Sequence, residues 1–299
     1  MMTGQHALAP SSAATKKTAA PLLSINEKAF AENFNRRPFL IQHQLSDHPL
    51  FDISRLMKLA QALPESHVEY NAGTVDISCK PNETPRTGLS VEETIRRIEE
   101  CKSWMVLKNV EHDSDYAALL DECLAEVQEY SDKICPGLSN SEAFIFLSSP
   151  GSVTPYHMDP EHNFLLQIRG KKFMTVFDRS LTSAEEFEKF HAGAHRNMHF
   201  EDEYLQKSAA FELLPGLGLH VPVCAPHFVR NGSNVSVSFS ITFRTPHIET
   251  EKLVHLANGR LRQFGLHPSP VGSNTSIDAL KVMAFRVLRK SRSLLGGKA

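Results

Sequence analysis

The stretch TPYHMDPEHNFLLQIRGKK, residues 154–172, places a histidine and an aspartate two residues apart, immediately before a run that predicts a β-hairpin. Residues i and i+2 of a strand point to the same face, about 7 Å apart, so His157 and Asp159 can both reach one ion. The triplet His157-Met158-Asp159 alone is weak evidence for a metal site, because the chain contains 15 histidines. It also contains two formally similar pairs, in His67-Val68-Glu69 and His199-Phe200-Glu201. A third ligand is needed to distinguish a metal site from a chance pair.

The candidate for that third ligand is His227, in the stretch PGLGLHVPVCAPH, residues 215–227. We expect a strand to end there, just before a long alternating strand. Two histidines and one carboxylate on one side of an octahedron form the ligand set of non-haem Fe(II) oxygenases. His220 lies seven residues before His227, so in one continuous strand the two would face opposite ways. We therefore prefer His157, Asp159 and His227 as the metal ligands.

Short segments rich in Phe, Val, Ile or Leu follow one another after Pro136-Gly137. Turn residues separate them, and Arg169-Gly170 is the predicted turn of the hairpin. This spacing is typical of an all-β sandwich or jelly roll. The predicted strands cover residues 143–147, 163–168, 173–177, 211–214, 219–223 and 235–243.

The clearest strand is VSVSFSITF, residues 235–243, where large apolar residues alternate with Ser236, Ser238, Ser240 and Thr242. Alternation means that one face is apolar and the other is small and polar. The polar face is either a solvent-exposed sheet surface or the lining of a wet cavity inside a barrel. The strand pattern alone leaves both interpretations open.

The region before this β-rich part mixes helices with short extended pieces. Residues 53–63 have apolar residues at helical spacing. Ser90 and Glu93 form a capping box, which predicts a helix from Ser90 to about Cys101. We also predict a helix over residues 116–130 and a buried strand over residues 104–107.

Two further helices are predicted after Pro246, over residues 249–264 and 276–294. The last helix combines an apolar stripe with basic neighbours, which favours packing on the domain or on a second subunit in a homodimer. Docking on anionic lipid or nucleic acid is the alternative, although each basic residue near an anionic membrane contributes only about 1 kcal/mol. The stripe is Ile277, Leu280, Ala284, Val287 and Leu288, and the basic residues are Lys281, Arg286, Arg289, Lys290 and Arg292.

Composition indicates an ordinary globular protein. The 299 residues carry a formal charge of −2, so we expect no overall bias toward nucleic acid or anionic membrane. The five cysteines contain no C-x-x-C pair, which argues against a disulfide framework or a zinc ribbon and favours a reducing, cytoplasmic location. No apolar run approaches the roughly 20 residues of a membrane span. We divide the chain into a disordered lead (1–24), an α/β region packed on the barrel (25–135), the β-barrel core (136–246) and a helical segment (247–299).

These residues resemble a known family, the JmjC group of cupin-fold Fe(II) and 2-oxoglutarate dependent oxygenases. At the level of motifs the chain is most similar to the asparaginyl hydroxylase that acts on the hypoxia-inducible transcription factor. The family pattern T-P-x-H-x-D, an Asn four residues later and Q-I-x-G-x-K fall in register, with Lys172 fifteen residues after His157. Pro215, Gly216, Pro222 and His227 match the distal half, and a looser likeness to bacterial cupin-like proteins covers most of the chain from about residue 25.

The resemblance implies a jelly-roll core and a set of cosubstrate contacts. Lys172 and Thr154 would meet the distal carboxylate of 2-oxoglutarate, Asn163 would hydrogen-bond its metal-proximal carboxylate, and Ser238 would stand nearby. The alternatives are that Lys172 lies in solvent like Lys171, and that Asn163 only satisfies backbone groups. The chain departs from the family at Leu217, at Ala225-Pro226 and at Ser238, where the family often has an Asp, bulky aromatics and an Asn.

The function predicted from this pattern is an Fe(II) and 2-oxoglutarate dependent oxygenase, a hydroxylase of unknown primary substrate. The metal ligands are the only catalytic residues that we assign, and the substrate is a small molecule or a protein side chain. The first alternative is a non-catalytic cupin-like protein that binds a metal or small molecule and acts as a regulator. The second is a sugar-handling cupin that holds Zn or Mn, because the general affinity order of metals does not itself select Fe(II). The sequence shows no recognisable helix-turn-helix, which argues against a regulator that binds DNA.

Overall fold

The protein is described by a computed structural model over residues 20–80 and 84–294. Its strands are β1 Leu23–Ser24, β2 Phe39–His43, β3 Val68–Ala72, β4 Ser103–Lys108, β5 Ser139–Ser148, β6 Val153–His157, β7 His162–Arg169, β8 Lys172–Phe177, β9 Ser208–Leu213, β10 Leu217–Val221, β11 His227–Asn231 and β12 Ser236–Arg244. Its helices are α1 Glu27–Asn33, α2 Ile53–Ala62, α3 Val91–Arg96, α4 Ser114–Ser131, α5 Ala184–His191, α6 Pro246–Gln263 and α7 Thr275–Leu294.

The strands form two antiparallel sheets. The larger sheet has the order β1-β2-β10-β7-β12-β5-β4-β3, and the smaller has the order β6-β11-β8-β9. Strands that are neighbours in space are mostly distant in the chain, as in a jelly roll, where successive strands alternate between facing sheets. The predicted fold class, a jelly roll with flanking helices, is confirmed.

The predicted hairpin between β7 and β8 is wrong. β7 pairs with β10 and β12 in the larger sheet, whereas β8 pairs with β11 and β9 in the smaller one. Gly170, which has a φ of +73°, turns the chain from one sheet to the other. A Cβ atom at this position would lie 2.3 Å from the carbonyl oxygen of Val235, so the close approach of the two segments requires glycine.

The main hydrophobic core lies between the outer face of the larger sheet and the helices that cover it. In β12 the apolar residues point into this core, because Val237, Phe239, Ile241 and Phe243 are all fully buried. The serine face of β12 is also buried: Ser238 and Ser240 donate hydrogen bonds to side chains of β7. The polar face therefore lines the inside of the jelly roll, between the two sheets, where a smaller apolar cluster contains Leu165, Met174, Val176, Leu213, Leu219, Val221, Ala225 and Val229.

Most of the predicted elements outside the barrel are present with small shifts. α2, α4, β4, α6 and α7 occur where periodicity predicts them. The capping box of Ser90 and Glu93 is formed, but α3 ends at Arg96 rather than near Cys101. Strands β6 and β11 are not predicted from the sequence, and β11 is the strand on which His227 lies. His227 therefore begins a strand, instead of following the end of one.

The two ends of the chain are only partly described. The predicted disordered lead lies mostly outside the described residues, and Leu23–Ser24 at its end forms β1. The C-terminal helices α6 and α7 pack on each other, and α6 also packs on α5. Within the described ranges, every helix is too short or too polar to cross a bilayer.

Candidate metal centre and cosubstrate site

Three side chains predicted to bind a metal converge between the ends of β6 and β11. His157 is the last residue of β6 and pairs directly with His227, the first residue of β11. Asp159 follows β6, and its Oδ2 atom lies 3.7 Å from Nε2 of His157 and 3.6 Å from Nε2 of His227. In the part of the chain that the structure describes, this is the one group of three or more His, Cys, Asp or Glu residues close enough to share an ion.

The backbone fixes the orientation of both imidazoles. Nδ1 of His157 lies 2.7 Å from the carbonyl oxygen of Pro155, and Nδ1 of His227 lies 2.9 Å from that of Ala225. A carbonyl oxygen only accepts, so each Nδ1 carries the proton and donates it. In the neutral ring Nε2 then carries a free lone pair, and both Nε2 atoms face Asp159. This is the tautomer and orientation that a ligating histidine needs.

Burial and charge favour neutral imidazoles beside an ionised carboxylate. Desolvation lowers the pKa of His157 to about 3, helped by the proximity of His227, and desolvation also lowers the pKa of His227. Burial alone would raise the pKa of Asp159, but its interactions with His157 and Arg196 outweigh burial, so this pKa is lowered. At neutral pH the cluster presents two neutral nitrogen donors and one anionic oxygen.

Sequence reasoning misses Arg196, which contacts the cluster. Its Nη1 atom donates to Oδ1 of Asp159 at 2.9 Å, which leaves Oδ2 facing the two histidines. The next residue, Asn197, forms an isolated bridge with His157 and donates through Nδ2 to the carbonyl oxygen of Cys79. The loop HAGAHRNMHF, residues 191–200, has neither periodicity nor a motif, so nothing local predicts this contact.

Lys172 is buried without a counter-ion. Its residue is 3% exposed, and no carboxylate or hydrogen-bond acceptor among the described residues contacts its Nζ atom. The ammonium lies 5.4 Å from the ring centre of Phe146, on the facing sheet. Desolvation lowers the pKa of Lys172 to about 7. The alternative in which Lys172 lies in solvent is wrong, whereas Lys171 is half-exposed and pairs with Glu212.

Strand register places Lys172 on the same inner face of the jelly roll as the three candidate metal ligands. His227 is opposite Val176, and Lys172 lies four residues before Val176, so both point between the sheets. Thr154 and Met174 both pair with Val229, one row nearer the histidines than Lys172. Thr154 is half-buried and makes no hydrogen bond to Lys172 in the described structure.

The other predicted cosubstrate contacts are arranged along β7 and β12. Ser240 donates to Oδ1 of Asn163 at 2.9 Å, while the amide nitrogen of Asn163 has no partner among the described residues. Ser238 donates to Oε1 of Gln167 at 2.7 Å. Ser238 is also directly opposite Phe146, the ring nearest the ammonium of Lys172. The roles of Thr154, Asn163, Lys172 and Ser238 stay predictions.

The remaining histidines considered from sequence lie elsewhere. His199 is mostly exposed and lies 3.3 Å from Glu201, and His67 is half-buried beside His112. His220 lies on β10, a different strand from His227, and packs among Phe34, Phe39 and Phe164 in the main core. None of these three belongs to a cluster of ligand atoms within the described residues.

Comparison with known proteins agrees with this geometry. Residues 118–250, which contain all seven predicted site residues, match the family model of the JmjC domain. This segment is a JmjC domain. The predicted resemblance to the JmjC group of Fe(II) and 2-oxoglutarate dependent oxygenases is confirmed at the level of the family.

Two curated relatives share the JmjC segment. The chain is 32% identical over 112 residues to JmjC domain-containing protein D of Dictyostelium discoideum, which covers 34% of this chain and 24% of that protein. It is 32% identical over 104 residues to lysine-specific demethylase 8 of Xenopus tropicalis, covering 31% of this chain and 22% of that protein. The matched region thus spans about a quarter of each curated relative.

Solved structures resemble this chain over most of its length. A structure of Escherichia coli YcfD has a TM-score of 0.53 at 17% identity and covers 89% of this chain and 67% of that one. Another, of the ribosomal oxygenase YcfD with cobalt and 2-oxoglutarate, has a TM-score of 0.51 at 17% identity, with 89% and 66% coverage. At this identity the likeness supports the fold alone.

Proposed function

We propose that this JmjC protein is an Fe(II) and 2-oxoglutarate dependent oxygenase that hydroxylates a C–H bond of its substrate. The observation that carries the proposal is the combination of a buried His157, Asp159 and His227 cluster with a buried, unpaired Lys172 on the same inner face. The three ligand side chains suit a divalent metal, and the unpaired ammonium of Lys172 suits an anion. Neither feature is needed for the stability of a chain with such a large core.

The donor set fits Fe(II). Two imidazole nitrogens and one carboxylate oxygen are the facial set that leaves three coordination positions for other ligands. Both histidines are held by backbone carbonyls and Asp159 is held by Arg196, so the outer contacts of the site keep the ligand atoms oriented without a metal. The same donors also accept Zn or Mn, so metal identity has to be measured.

The surroundings of Lys172 fit a dicarboxylate cosubstrate. A buried ammonium without a partner is unfavourable by several kcal/mol, and an incoming carboxylate would relieve that unfavourable free energy. YcfD has been crystallised with cobalt and 2-oxoglutarate, and we propose the same cosubstrate for this chain. Thr154 would donate its hydroxyl to the distal carboxylate, and the free amide nitrogen of Asn163 would donate to the other end.

The residues of the chain position and shield the reacting groups. Fe(II) with 2-oxoglutarate and oxygen would supply the oxidising chemistry, while the protein contributes ligand geometry and a water-poor space. His157, Asp159 and His227 hold the metal and are not acids or bases. The apolar side chains of Met174, Val176 and Val229 line the space between the metal cluster and Lys172 and would exclude water from it.

The substrate is either a small molecule or a protein side chain. One curated relative is a lysine-specific demethylase and one structural neighbour is a ribosomal oxygenase. We do not transfer either substrate to this chain. The alternative for this chain is a non-catalytic regulator that keeps the metal and small-molecule sites. An unpaired Lys172 next to an intact ligand cluster supports an anionic cosubstrate in either case, so turnover is the property that separates the enzyme from this regulator.

The decisive experiment measures metal, cosubstrate and turnover on one sample. Protein purified without oxygen is loaded with Fe(II), tested for 2-oxoglutarate binding by calorimetry, and then exposed to oxygen while succinate is measured. We expect one bound Fe(II), 2-oxoglutarate binding that depends on the metal, and succinate formation. His157→Ala should lose all three and remain folded, whereas His199→Ala, in the similar but exposed pair, should keep them.

Three outcomes would contradict the proposal. Succinate formation in His157→Ala equal to that of the unmodified chain would remove the metal cluster from the mechanism. Tight metal and 2-oxoglutarate binding with no succinate, even in the presence of candidate substrates, would instead favour the non-catalytic regulator. Preferential retention of Zn or Mn with no affinity for 2-oxoglutarate would favour the sugar-handling cupin.

A further inference from the structure

Glu161 carries a second carboxylate close to the candidate metal cluster. It follows Asp159 by two residues and immediately precedes β7. On β7, the ring of His162 stacks on aromatic rings of the main core, whereas the side chain of Asn163 contacts the polar inner face of β12. Because successive side chains alternate across a strand, Glu161 points inward like Asn163. It therefore stands in the chain between a proposed metal ligand and a proposed cosubstrate contact.

Arg244 holds this carboxylate in place. Phe243 pairs with His162, so Arg244, the last residue of β12, comes opposite Glu161. Nη2 of Arg244 donates to Oε1 of Glu161 at 2.7 Å, and Nη1 donates to Oε1 of Glu249 on α6 at 3.0 Å. The side chains of Glu161 and Arg244 are only 14% and 24% exposed. Arg244 thus fixes Glu161 in a mostly buried ion pair that ties the end of the jelly roll to α6.

The charge of Glu161 acts on the metal cluster. Its carboxylate and that of Asp159 repel each other, and Arg196 attracts both. Glu161 nevertheless lies outside the group of three ligand side chains whose atoms can share one ion. Removal of Arg244 would leave a mostly buried carboxylate without its hydrogen-bonded partner, which is unfavourable. A divalent ion bound by Asp159, two residues away in the chain, would then attract it.

We propose that Arg244 keeps the carboxylate of Glu161 off the metal and so preserves the open coordination positions of the site. Two histidines and one carboxylate leave three positions of an octahedron. A second carboxylate would occupy one of these and leave two for 2-oxoglutarate and oxygen together. Arg244 is therefore a positioning residue, because it acts through Glu161 rather than on the reacting groups. This inference rests on the proposed function, since it requires the metal site.

The test compares Arg244→Met with the unmodified full chain, both loaded with Mn(II). Calorimetry measures the binding of Mn(II) and of 2-oxoglutarate, and the proton relaxation of the solvent reports how many water molecules the bound Mn(II) holds. We expect Arg244→Met to bind Mn(II) at least as tightly, because a carboxylate joins the site. The relaxation enhancement should fall by about a third, which is one of three open positions. The affinity for 2-oxoglutarate should fall about tenfold or more.

Two further variants separate this role from a general loss of stability. Arg244→Met combined with Glu161→Gln removes the competing carboxylate and should restore both the relaxation enhancement and the 2-oxoglutarate affinity. Arg262→Met is the matched control, because Arg262 forms a bidentate pair with Glu188, whose side chain is 5% exposed, between α6 and α5. It should leave both quantities unchanged. If Arg244→Met fails to fold, Arg244→Gln gives the same comparison with a polar, uncharged side chain.

Weaker Mn(II) binding in Arg244→Met would overturn the inference, because it would mean that Arg244 only keeps the loop in shape. Relaxation and 2-oxoglutarate affinity equal to those of the unmodified chain would also overturn it, as would a defect that persists in the double variant. The proposed function fails separately. If the unmodified chain binds Mn(II) but not 2-oxoglutarate, that function is wrong and the relaxation comparison still decides the role of Arg244. Absence of any Mn(II) binding would contradict both.

Discussion

Arg196 determines which oxygen of Asp159 faces the two histidines. Its hydrogen bond to Oδ1 leaves Oδ2 for a metal, although the arginine side chain itself is 58% exposed. Outer contacts of this kind typically change metal affinity 10- to 100-fold (about 1.4 to 2.7 kcal/mol) when removed. We expect Arg196→Gln to weaken Fe(II) or Co(II) binding by roughly that factor, measured by anaerobic calorimetry.

A control for this prediction is Arg169→Gln, which replaces an exposed arginine at the end of β7. It should leave the metal affinity unchanged. Arg196→Lys keeps the positive charge and should recover part of the affinity. Metal binding in Arg196→Gln as tight as in the unmodified chain would show that the backbone alone orients Asp159.

We expect Lys172 to destabilise the protein when no anion is bound, because its ammonium is buried without a counter-ion. Burial lowers its pKa from the ordinary value of 10.5 to about 7, and one unit of pKa corresponds to about 1.4 kcal/mol. We expect Lys172→Met to raise the free energy of unfolding at pH 7 by on the order of 2 to 4 kcal/mol while abolishing 2-oxoglutarate binding. Lys171→Met, which removes the exposed neighbour, should change neither quantity much. Destabilisation by Lys172→Met, measured by urea unfolding, would contradict an unpaired buried ammonium.

The same lysine makes stability and cosubstrate binding depend on pH in a defined direction. The unfolded chain holds the lysine proton up to pH 10.5, whereas the folded chain without ligand loses it near pH 7, so stability should rise between these values. An incoming carboxylate favours the ammonium, so 2-oxoglutarate binding above pH 7 should take up a proton. We expect its Kd to increase up to about tenfold per pH unit above 7. Calorimetry of the Fe(II)-loaded protein in buffers of different ionisation enthalpy measures the proton uptake, and none should occur in Lys172→Met.

At the scale of elements, the sequence predicts what depends on local periodicity. β12 is predicted because Val237, Phe239 and Ile241 alternate with serines, and α2 and α4 because their apolar residues recur at helical spacing. The spacing of the family motifs also predicts which three side chains meet. Residues whose position depends on a distant partner are not predictable in this way.

The errors have a common physical origin in long-range pairing. β7 and β8 look like a hairpin, but in a jelly roll each pairs with strands far along the chain. β6 and β11 are short and lack alternation, because the metal cluster and buried polar residues such as Asn231 occupy their inner faces. Arg196 lies in an irregular loop whose position is determined by pairing with His157.

The division into a lead, an α/β region, a barrel and a helical segment stays a proposal, since the first two strands already share the main core with the barrel.

The crossing between β7 and β8 has a testable requirement for glycine. Gly170 has a positive φ, and an added Cβ would lie 2.3 Å from the carbonyl oxygen of Val235. We expect Gly170→Ala to lower the free energy of unfolding by more than the roughly 1–2 kcal/mol that a positive φ alone imposes. Gly265→Ala is the matched control, because it has a similar φ of +77° and open space around it. Equal effects of the two variants in urea unfolding would mean that the contact with Val235 is unimportant.

At the scale of the whole molecule, α7 has two faces with different surroundings. Asp278, Lys281 and Val282 are buried against α6 and the loop before α7. On the other face, large apolar side chains are exposed, among them Leu280 at 60% and Val287 at 64%. Ile277, Leu280, Ala284 and Val287 recur at spacings of three, four and three, which is the seam of a helix that packs against another helix.

This exposed seam makes the predicted homodimer testable. A contiguous apolar face of this kind normally packs against a partner, and a second α7 offers a face of the same spacing. We expect the full chain to be a dimer in light scattering coupled to gel filtration, and Leu280→Glu together with Val287→Glu to make it a monomer with an unchanged circular dichroism spectrum. Ala279→Glu, on the exposed side away from the seam, should leave the dimer intact. If the unmodified chain is a monomer at micromolar concentration, the prediction is wrong. Binding of that monomer to anionic vesicles would then favour the alternative in which α7 docks on lipid.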